Sequence, residues 1–129
     1  YNHYRFGSYQ VDSNDYSGNP VTAVPDWVWS NNLWFDFNHN LGLNISHNFT
    51  AKIPLNDANT VYANKFHLVQ IKGTWQHHLS SSLQMTLFAG IVNVLNEDYS
   101  LGNDINAFGN RYFNPAPGRN YYGGVTIEF

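Results

Sequence analysis

The chain has 129 residues, a length typical of one domain, and its formal net charge of -3 provides no basic surface for nucleic acid. It contains no cysteine, which excludes a disulfide framework and a thiolate metal site. Charged residues make up 12% and aromatic residues 17%, whereas soluble domains carry roughly 25% charged residues. Neutral polar residues mixed with aromatics are typical of a β-barrel with one face on lipid and the other on a wet lumen.

Alternation of apolar and polar residues with a period of two predicts six strands. They span residues 1–11, 26–38, 41–52, 65–77, 82–96 and 119–129. The odd positions from Leu41 to Ala51 carry Leu, Leu, Ile, His, Phe and Ala, whereas the even positions from Gly42 to Lys52 are mostly polar. Alternation is weakest in the first strand, because "YNHYRFGSYQV" has aromatics on both faces. Most of these strands have about 11 residues or more, which meets the ~9–11 residues that a membrane-crossing strand needs and exceeds the ~5–6 residues typical of soluble proteins.

The connections between these strands alternate in length. Short turns are predicted at 39–40 and 78–82, and long loops rich in Asn, Asp, Gly and Pro at 12–25, 53–64 and 97–118. Large aromatics cluster near the predicted strand ends, at Trp27, Trp29, Phe35, Phe37, Phe49, Tyr62, Phe66 and Trp75. Short turns on one rim, long loops on the other and aromatic girdles at both interfaces are features of outer-membrane barrels.

Six strands are too few to close a membrane barrel, since single-chain bacterial barrels begin at about eight. An open sheet in hydrocarbon exposes backbone N–H and C=O groups at its edges, each at a cost of several kcal/mol. We therefore expect this chain to be one part of a larger barrel, completed by a companion chain or by other parts of the same polypeptide.

Several segments resemble TonB-dependent outer-membrane receptors. "FAGIVNVLNEDYS" (Phe88–Ser100) resembles their penultimate strand, and "RYFNPAPGRNYYGGVTIEF" (Arg111–Phe129) resembles their final loop and final strand. Two earlier segments, Ser17–Phe37 and Ile53–Trp75, are similar to the loops and strands that precede these in the family. The resemblance covers nearly the whole chain, in the family's order.

The resemblance implies an all-β fold, an antiparallel transmembrane β-barrel segment in which residues 1–129 form the last six strands of a 22-stranded plugged barrel. The plug and the earlier strands would lie outside this sequence. The implied location is the outer membrane of a Gram-negative bacterium, with the C-terminus in the periplasm and the loops 12–25, 53–64 and 97–118 outside the cell. Gly124, Ile127 and Phe129 match the terminal signal that barrel-assembly machinery recognises.

The function implied by the resemblance is active uptake of a scarce nutrient, most often a ferric siderophore or another iron chelate. The TonB system would supply energy through the plug. The chain itself would perform no chemistry and hold no cofactor; it would close the barrel wall and contribute three outer loops.

Six residues in or near the predicted outer loops are candidates to contact the ligand. They are Tyr62, Tyr99, Phe108, Arg111, Tyr112 and Phe113. Aromatic rings together with an arginine suit an anionic, partly aromatic chelate, through stacking and bidentate hydrogen bonds. For each residue the alternative is packing between loops, since large aromatics otherwise expose apolar area.

No catalytic or metal site is predicted. Ser80, Ser81 and Ser82 follow His77 and His78, but they fall in a predicted turn with no third group to fix a base. Adjacent histidines on a strand point to opposite faces, which argues against joint metal ligation. Three acidic residues, Glu97, Asp98 and Asp104, offer oxygen ligands for Ca²⁺. Their spacing does not match the twelve-residue calcium loop, so we expect them to be solvated.

Two other functional classes remain open on the sequence. One is a different outer-membrane barrel, either a passive porin, which would show charges facing the lumen, or a lipid-modifying enzyme, which would need a fixed Ser/His/acid set. The other is a soluble β-sandwich binding module, which would have shorter strands and charged outer faces.

Overall fold

A computed structural model describes residues 1–37 and 40–129, and the protein is all-β with antiparallel sheets. The strands are β1 (Gln10–Val11), β2 (Asn14–Asp15), β3 (Val28–Phe37), β4 (Leu41–Thr50), β5 (Ile53–Pro54), β6 (Tyr62–Ala63), β7 (Phe66–Ser80), β8 (Leu83–Val92), β9 (Ser100–Asn103), β10 (Phe113–Pro115) and β11 (Asn120–Glu128). A short 3₁₀ segment spans Phe108–Asn110. No helix in the described part of the chain is long and apolar enough to cross a membrane.

Five long strands form one sheet in the order β11-β8-β7-β4-β3. They correspond to the last five predicted strands, whose existence and type are confirmed. β7 continues past its predicted end, to Ser80, so the predicted turn at 78–82 shortens to the two residues between β7 and β8. The predicted turn at 39–40 includes residue 39, which lies outside the described residues.

The predicted strand at 1–11 is wrong. Only Gln10–Val11 forms a strand there, and Arg5 makes an isolated bridge with Pro20. The aromatics on both faces of this segment explain the difference, since the Phe6 and Tyr9 rings pack against each other, tilted by 38° with centroids 4.6 Å apart. The backbone follows that packing, with the Phe6 N–H donating to the Asn19 carbonyl at 2.9 Å.

The chain divides into two compact units. The first, called the loop unit, comprises Tyr1–Trp29, Phe49–Phe66 and Asp98–Ala116. The second, called the sheet unit, comprises Ser30–Asn48, His67–Glu97 and Pro117–Phe129. The loop unit contains almost all of the three predicted long loops, and within it Leu55, Ala63 and Tyr112 form a small buried cluster. The predicted loops therefore form a folded unit with a core of its own.

The strand register confirms that the odd positions of β7, β8 and β11 share one face, called the odd face. The ladders place Ile71, Ile91 and Tyr121 in one row, and Trp75, Leu87 and Val125 in another. The even positions share the opposite face, called the even face, where Gln76, Thr86 and Thr126 form a row. Directly opposed residues lie on the same side of a sheet, so the alternation in the sequence produces one apolar face and one mostly polar face.

Neither face of this sheet is covered. No residue of the five long strands is buried, and every residue of β3 is exposed. On β11, Val125 and Ile127 are 57% and 56% exposed. An apolar sheet face of this extent is unfavourable in water, so it requires a second layer or a lipid environment.

The end of β8 is fixed by asparagines. Asn93 is 1% exposed and adopts a φ of +54°, a left-handed conformation that Asn tolerates better than most residues. Its side-chain amide donates to the Glu97 carbonyl at 2.9 Å, and its side-chain oxygen accepts from the Glu97 N–H at 2.8 Å. Asn96 accepts the Arg119 N–H at 2.9 Å, just before β11 begins. These contacts explain why β8 stops at Val92, before its predicted end at residue 96.

We expect Asn93→Ala to destabilise the five-stranded sheet by about 2–3 kcal/mol, because it loses two buried hydrogen bonds and places Ala at a positive φ. Asn93→Gly removes the same hydrogen bonds without the backbone cost and should lose about 1–2 kcal/mol. Urea unfolding of the two variants in lipid vesicles measures both values. Equal losses for Ala and Gly would show that the left-handed backbone contributes nothing.

Candidate functional site

Asp57 is the centre of a hydrogen-bond network within the loop unit. Its carboxylate accepts hydrogen bonds from the Thr22 hydroxyl at 2.5 Å, the Tyr9 hydroxyl at 2.9 Å and the Asn106 side-chain amide at 3.0 Å. Its backbone carbonyl accepts from the Asn19 side chain at 2.8 Å, and its N–H donates to the Asn106 side-chain oxygen at 3.0 Å. One residue thus joins the N-terminal segment to all three loops.

The surroundings of Asp57 favour its charged form. Burial alone would raise the pKa of the carboxyl, but the hydrogen bonds from Thr22, Tyr9 and Asn106 outweigh that effect and hold the pKa below its usual value. The pKa of Tyr9 is raised, chiefly because its hydroxyl donates to this carboxylate. The network therefore acts as a charged anchor for the loops.

A group whose folded pKa is depressed stabilises the fold above its unfolded pKa and loses that contribution as pH falls through the folded value. We expect the loop unit to keep constant hydrogen-exchange protection above about pH 5 and to lose protection below about pH 4. Exchange rates at each pH, normalised to an unstructured peptide, measure this loss. Asp57→Asn should show a smaller step, since Asp15 of the same unit also has a lowered pKa. A step of unchanged size in that variant would exclude Asp57 as its source.

An open cleft of about 320 Å³ lies in the loop unit. Its lining includes Ala63, Phe66, Asp98, Tyr99, Asn103 and Phe113. The rings of Phe66 and Tyr99 contact each other with centroids 5.2 Å apart and planes inclined by 36°. The side-chain oxygen of Asn103 is buried and has no hydrogen-bond partner among the described residues. We call this feature the aromatic cleft.

A second, more polar depression of about 410 Å³ lies over the Asp57 network, with Tyr9, Asn106 and Tyr112 also in its lining. Tyr112 is only 7% exposed because it packs into the buried cluster with Leu55. The hydrogen bonds of Asp57 are made to other residues of the loop unit and not toward the open space. We therefore attribute this depression to the packing of the loops and not to a ligand site.

The structure brings two of the six candidate ligand residues together, because Tyr99 and Phe113 both line the aromatic cleft. Tyr112 lies in the buried cluster, in agreement with the alternative of loop packing. The ring of Tyr62 lies 4.8 Å from the Lys52 ammonium nitrogen. Phe108 is 99% exposed, and Arg111 is exposed and does not line the cleft.

Sequence reasoning missed three features of this cleft. The sequence predicts Phe66 in the aromatic girdle and offers Asp98 only as an oxygen ligand for Ca²⁺, and no pattern in it marks Asn103. Pairing of β9 with β10 places Asn103 opposite Phe113. The Gly- and Asn-rich sequence of this loop contains no alternation that predicts such a pairing.

No group of three or more His, Asp or Glu side chains in the described part of the chain is arranged to hold a metal ion. His77 and His78 pair with Met85 and Gln84, in adjacent rows and therefore on opposite faces of the sheet. His47 and His67 do meet, with a ring nitrogen of each 3.0 Å apart, but they are only two ligands.

The three residues that match a barrel-assembly signal lie on or next to β11. Gly124 pairs with Phe88 and lies beneath its ring. Ile127 pairs with Met85 on the odd face. Phe129 is fully exposed and directly follows the strand. An extended, accessible strand end is the form in which such a signal could be read.

Comparison with known proteins does not assign the chain to a family. A scan against models of protein families finds no match, and a search of curated proteins finds no match. The support for a function therefore comes from the open faces of the sheet and from the loop unit.

Proposed function

We propose that this chain is part of a transmembrane β-barrel in the outer membrane of a Gram-negative bacterium, within a receptor of the TonB-dependent type. The observation that carries the proposal is a sheet of long strands whose apolar face lies open. Ile91, Val125 and Ile127 lie on that odd face, and lipid is an environment in which it is stable.

Strand length supports lipid as that environment. β3, β4 and β8 each have 10 residues. At about 3.3 Å per residue such a strand is about 33 Å long, and a tilt of about 40° reduces its height to about 25 Å. That height equals the apolar band of outer-membrane barrels, about 25 Å. A soluble sandwich would need a second packed sheet, whereas the described residues form one five-stranded sheet and three two-stranded ones.

The edges of the sheet imply partner strands. β3 and β11 are the outer strands, and an unpaired edge in hydrocarbon is costly. The remaining strands of the barrel would pair with them, supplied by the same polypeptide or by a companion chain. In this arrangement the chain completes the barrel wall and contributes the loops 12–25, 53–64 and 97–118 to the outside of the cell.

The receptor would take up a scarce small-molecule nutrient, for which the resemblance implies an iron chelate. Its energy would come from the TonB system acting on a plug, and barrel-assembly machinery would insert it through the signal at Gly124, Ile127 and Phe129. In this proposal the chain itself forms part of the barrel wall and helps to bind the ligand through its loops, and it catalyses no reaction. A passive pore is disfavoured because the even face of β7, β8 and β11 carries only two charged residues, Lys72 and Glu128.

Fractionation of the native host tests this function. An antibody against residues 97–118 should detect the protein in the outer-membrane fraction after a carbonate wash. The band should also shift on boiling in detergent, as folded barrels do. A protein found in the soluble fraction, or released by carbonate, would contradict the proposal.

A further inference from the structure

The aromatic cleft has the walls of a binding site for a flat, apolar ring face. Phe66, Tyr99 and Phe113 line it, and the first two rings are in contact. Phe113 is 52% exposed. A half-exposed phenylalanine in the lining of a cleft leaves apolar area in water, which a ligand ring would cover.

Two polar groups of the aromatic cleft offer hydrogen-bond acceptors that no donor of the described residues satisfies. Asp98 is exposed and its carboxylate makes no hydrogen bond to the described residues. Asn103 has a buried side-chain oxygen without a donor. No lysine or arginine is among the described residues that line the cleft. A ligand hydroxyl that enters the cleft can donate to the Asp98 carboxylate, whereas an anionic ligand gains no cation to balance its charge.

These features fit a sugar ring, because a pyranose presents hydroxyl donors around its rim and apolar C–H groups on its faces. We propose that the aromatic cleft binds a saccharide, with the sugar face on Phe113 and Tyr99 and with hydroxyl donors directed to Asp98. An anionic iron chelate does not fit, because the Asp98 carboxylate would repel it. Arg111, the cation expected to bind such a chelate, is not in the cleft lining.

The size of the cleft agrees with this ligand. Its volume of about 320 Å³ is at the small end of small-molecule sites, which span about 300–1,000 Å³. One or two sugar rings fit such a volume, and the open mouth would allow a longer glycan to continue outward. That the cleft faces the cell exterior rests on the proposed function. The saccharide would then be either free in the medium or part of neighbouring lipopolysaccharide.

Binding to the full receptor in lauryldimethylamine oxide micelles tests the inference, in a detergent that carries no sugar head group. The probes are maltose, cellobiose, lactose, mannobiose and a delipidated core oligosaccharide, measured by saturation-transfer NMR and calorimetry. We expect at least one probe to bind and Phe113→Ala to weaken it about tenfold, equivalent to about 1.4 kcal/mol. Phe113→Trp should retain binding, and Asp98→Asn should weaken it.

Phe108→Ala is the matched control, because Phe108 is 99% exposed and does not line the cleft. A free disaccharide as the best probe would identify a soluble saccharide, and the core oligosaccharide would identify lipopolysaccharide. Binding of no probe, equal binding by Phe113→Ala and wild type, or ferric citrate binding that Phe113→Ala abolishes would each overturn the inference. Fractionation to the outer membrane is independent of these results, so the saccharide site can fail while the proposed function stands.

Discussion

Replacing Asp57 by alanine is expected to open the loop unit while the five-stranded sheet remains folded. The substitution removes the acceptor of the Thr22, Tyr9 and Asn106 hydrogen bonds. Thr22 is itself buried, so its hydroxyl is left without a partner. Hydrogen bonds to a charged group contribute about 1.5–3 kcal/mol each and are not additive, so we expect a loss of about 3 kcal/mol in loop-unit stability.

Hydrogen exchange measured by mass spectrometry separates the two units in this variant. Protection should fall in residues 1–29, 49–66 and 98–116 and stay unchanged in β8 and β11. Asp104→Ala is the matched control, since it removes the same charge from an exposed residue of the same unit. If Asp57→Ala and Asp104→Ala had equal exchange rates, Asp57 would not be the anchor of the loops.

A methyl group at Gly90 is expected to displace the ring of Tyr122 and weaken the pairing of β8 with β11. Gly90 pairs directly with Tyr122, and a Cβ at this position would lie within 2.5 Å of the Tyr122 hydroxyl oxygen. The neighbouring pair has the same arrangement, since the Phe88 ring covers Gly124. Overpacking of this kind costs about 1–3 kcal/mol. We therefore expect Gly90→Ala to cost about 2 kcal/mol.

A double-mutant cycle with Tyr122→Ala identifies the cause. Once the ring is removed, Gly90→Ala should cost little, giving a coupling energy of about 1 kcal/mol or more. Gly73→Ala is the control, because a Cβ at Gly73 meets no atom within 4 Å. If Gly90→Ala cost the same with and without Tyr122, backbone strain rather than the ring would be responsible.

The five long strands could be predicted because the alternation that marks a strand lies within its own short segment of sequence. Alternation over ten residues requires no knowledge of the partner strand, and β3, β4 and β11 fall within the predicted ranges. The pairing of odd with odd positions also follows from alternation, since a slip of one residue would bring apolar side chains to the polar face. The exact ends of the strands were harder to predict from alternation. β8, for example, ends where Asn93 adopts a positive φ, a backbone conformation that the alternation does not reveal.

The loop unit was not predictable, because long-range contacts hold it together. Tyr9 bonds to Asp57 across 48 residues, and Asn106 bonds to Asp57 across 49. Nothing in an Asn- and Asp-rich loop specifies which carboxylate will be the shared acceptor. The incorrect strand prediction for residues 1–11 has the same cause, since the aromatics of this segment indicate packing without indicating which residues they pack against.

About half of the candidate site could be predicted from the sequence. Large aromatic residues in a predicted loop indicate a candidate site, and Tyr99 and Phe113 are two such residues. Their ring neighbour Phe66 begins a long strand, and the position of Asn103 depends on the β9–β10 pairing. Only the structure separates Tyr112, which is buried, from Phe113, which lines the cleft.

The orientation of β11 tests most directly the claim that the odd face of the sheet contacts lipid. The chain has no cysteine, so single cysteines can carry a nitroxide label at successive positions. The odd positions are Tyr121, Val125 and Ile127, and the even positions are Tyr122, Thr126 and Glu128. In membranes, odd labels should collide more with oxygen, which concentrates in lipid, and even labels with a water-soluble nickel chelate. Equal accessibility along the strand, or the reverse alternation, would contradict the account.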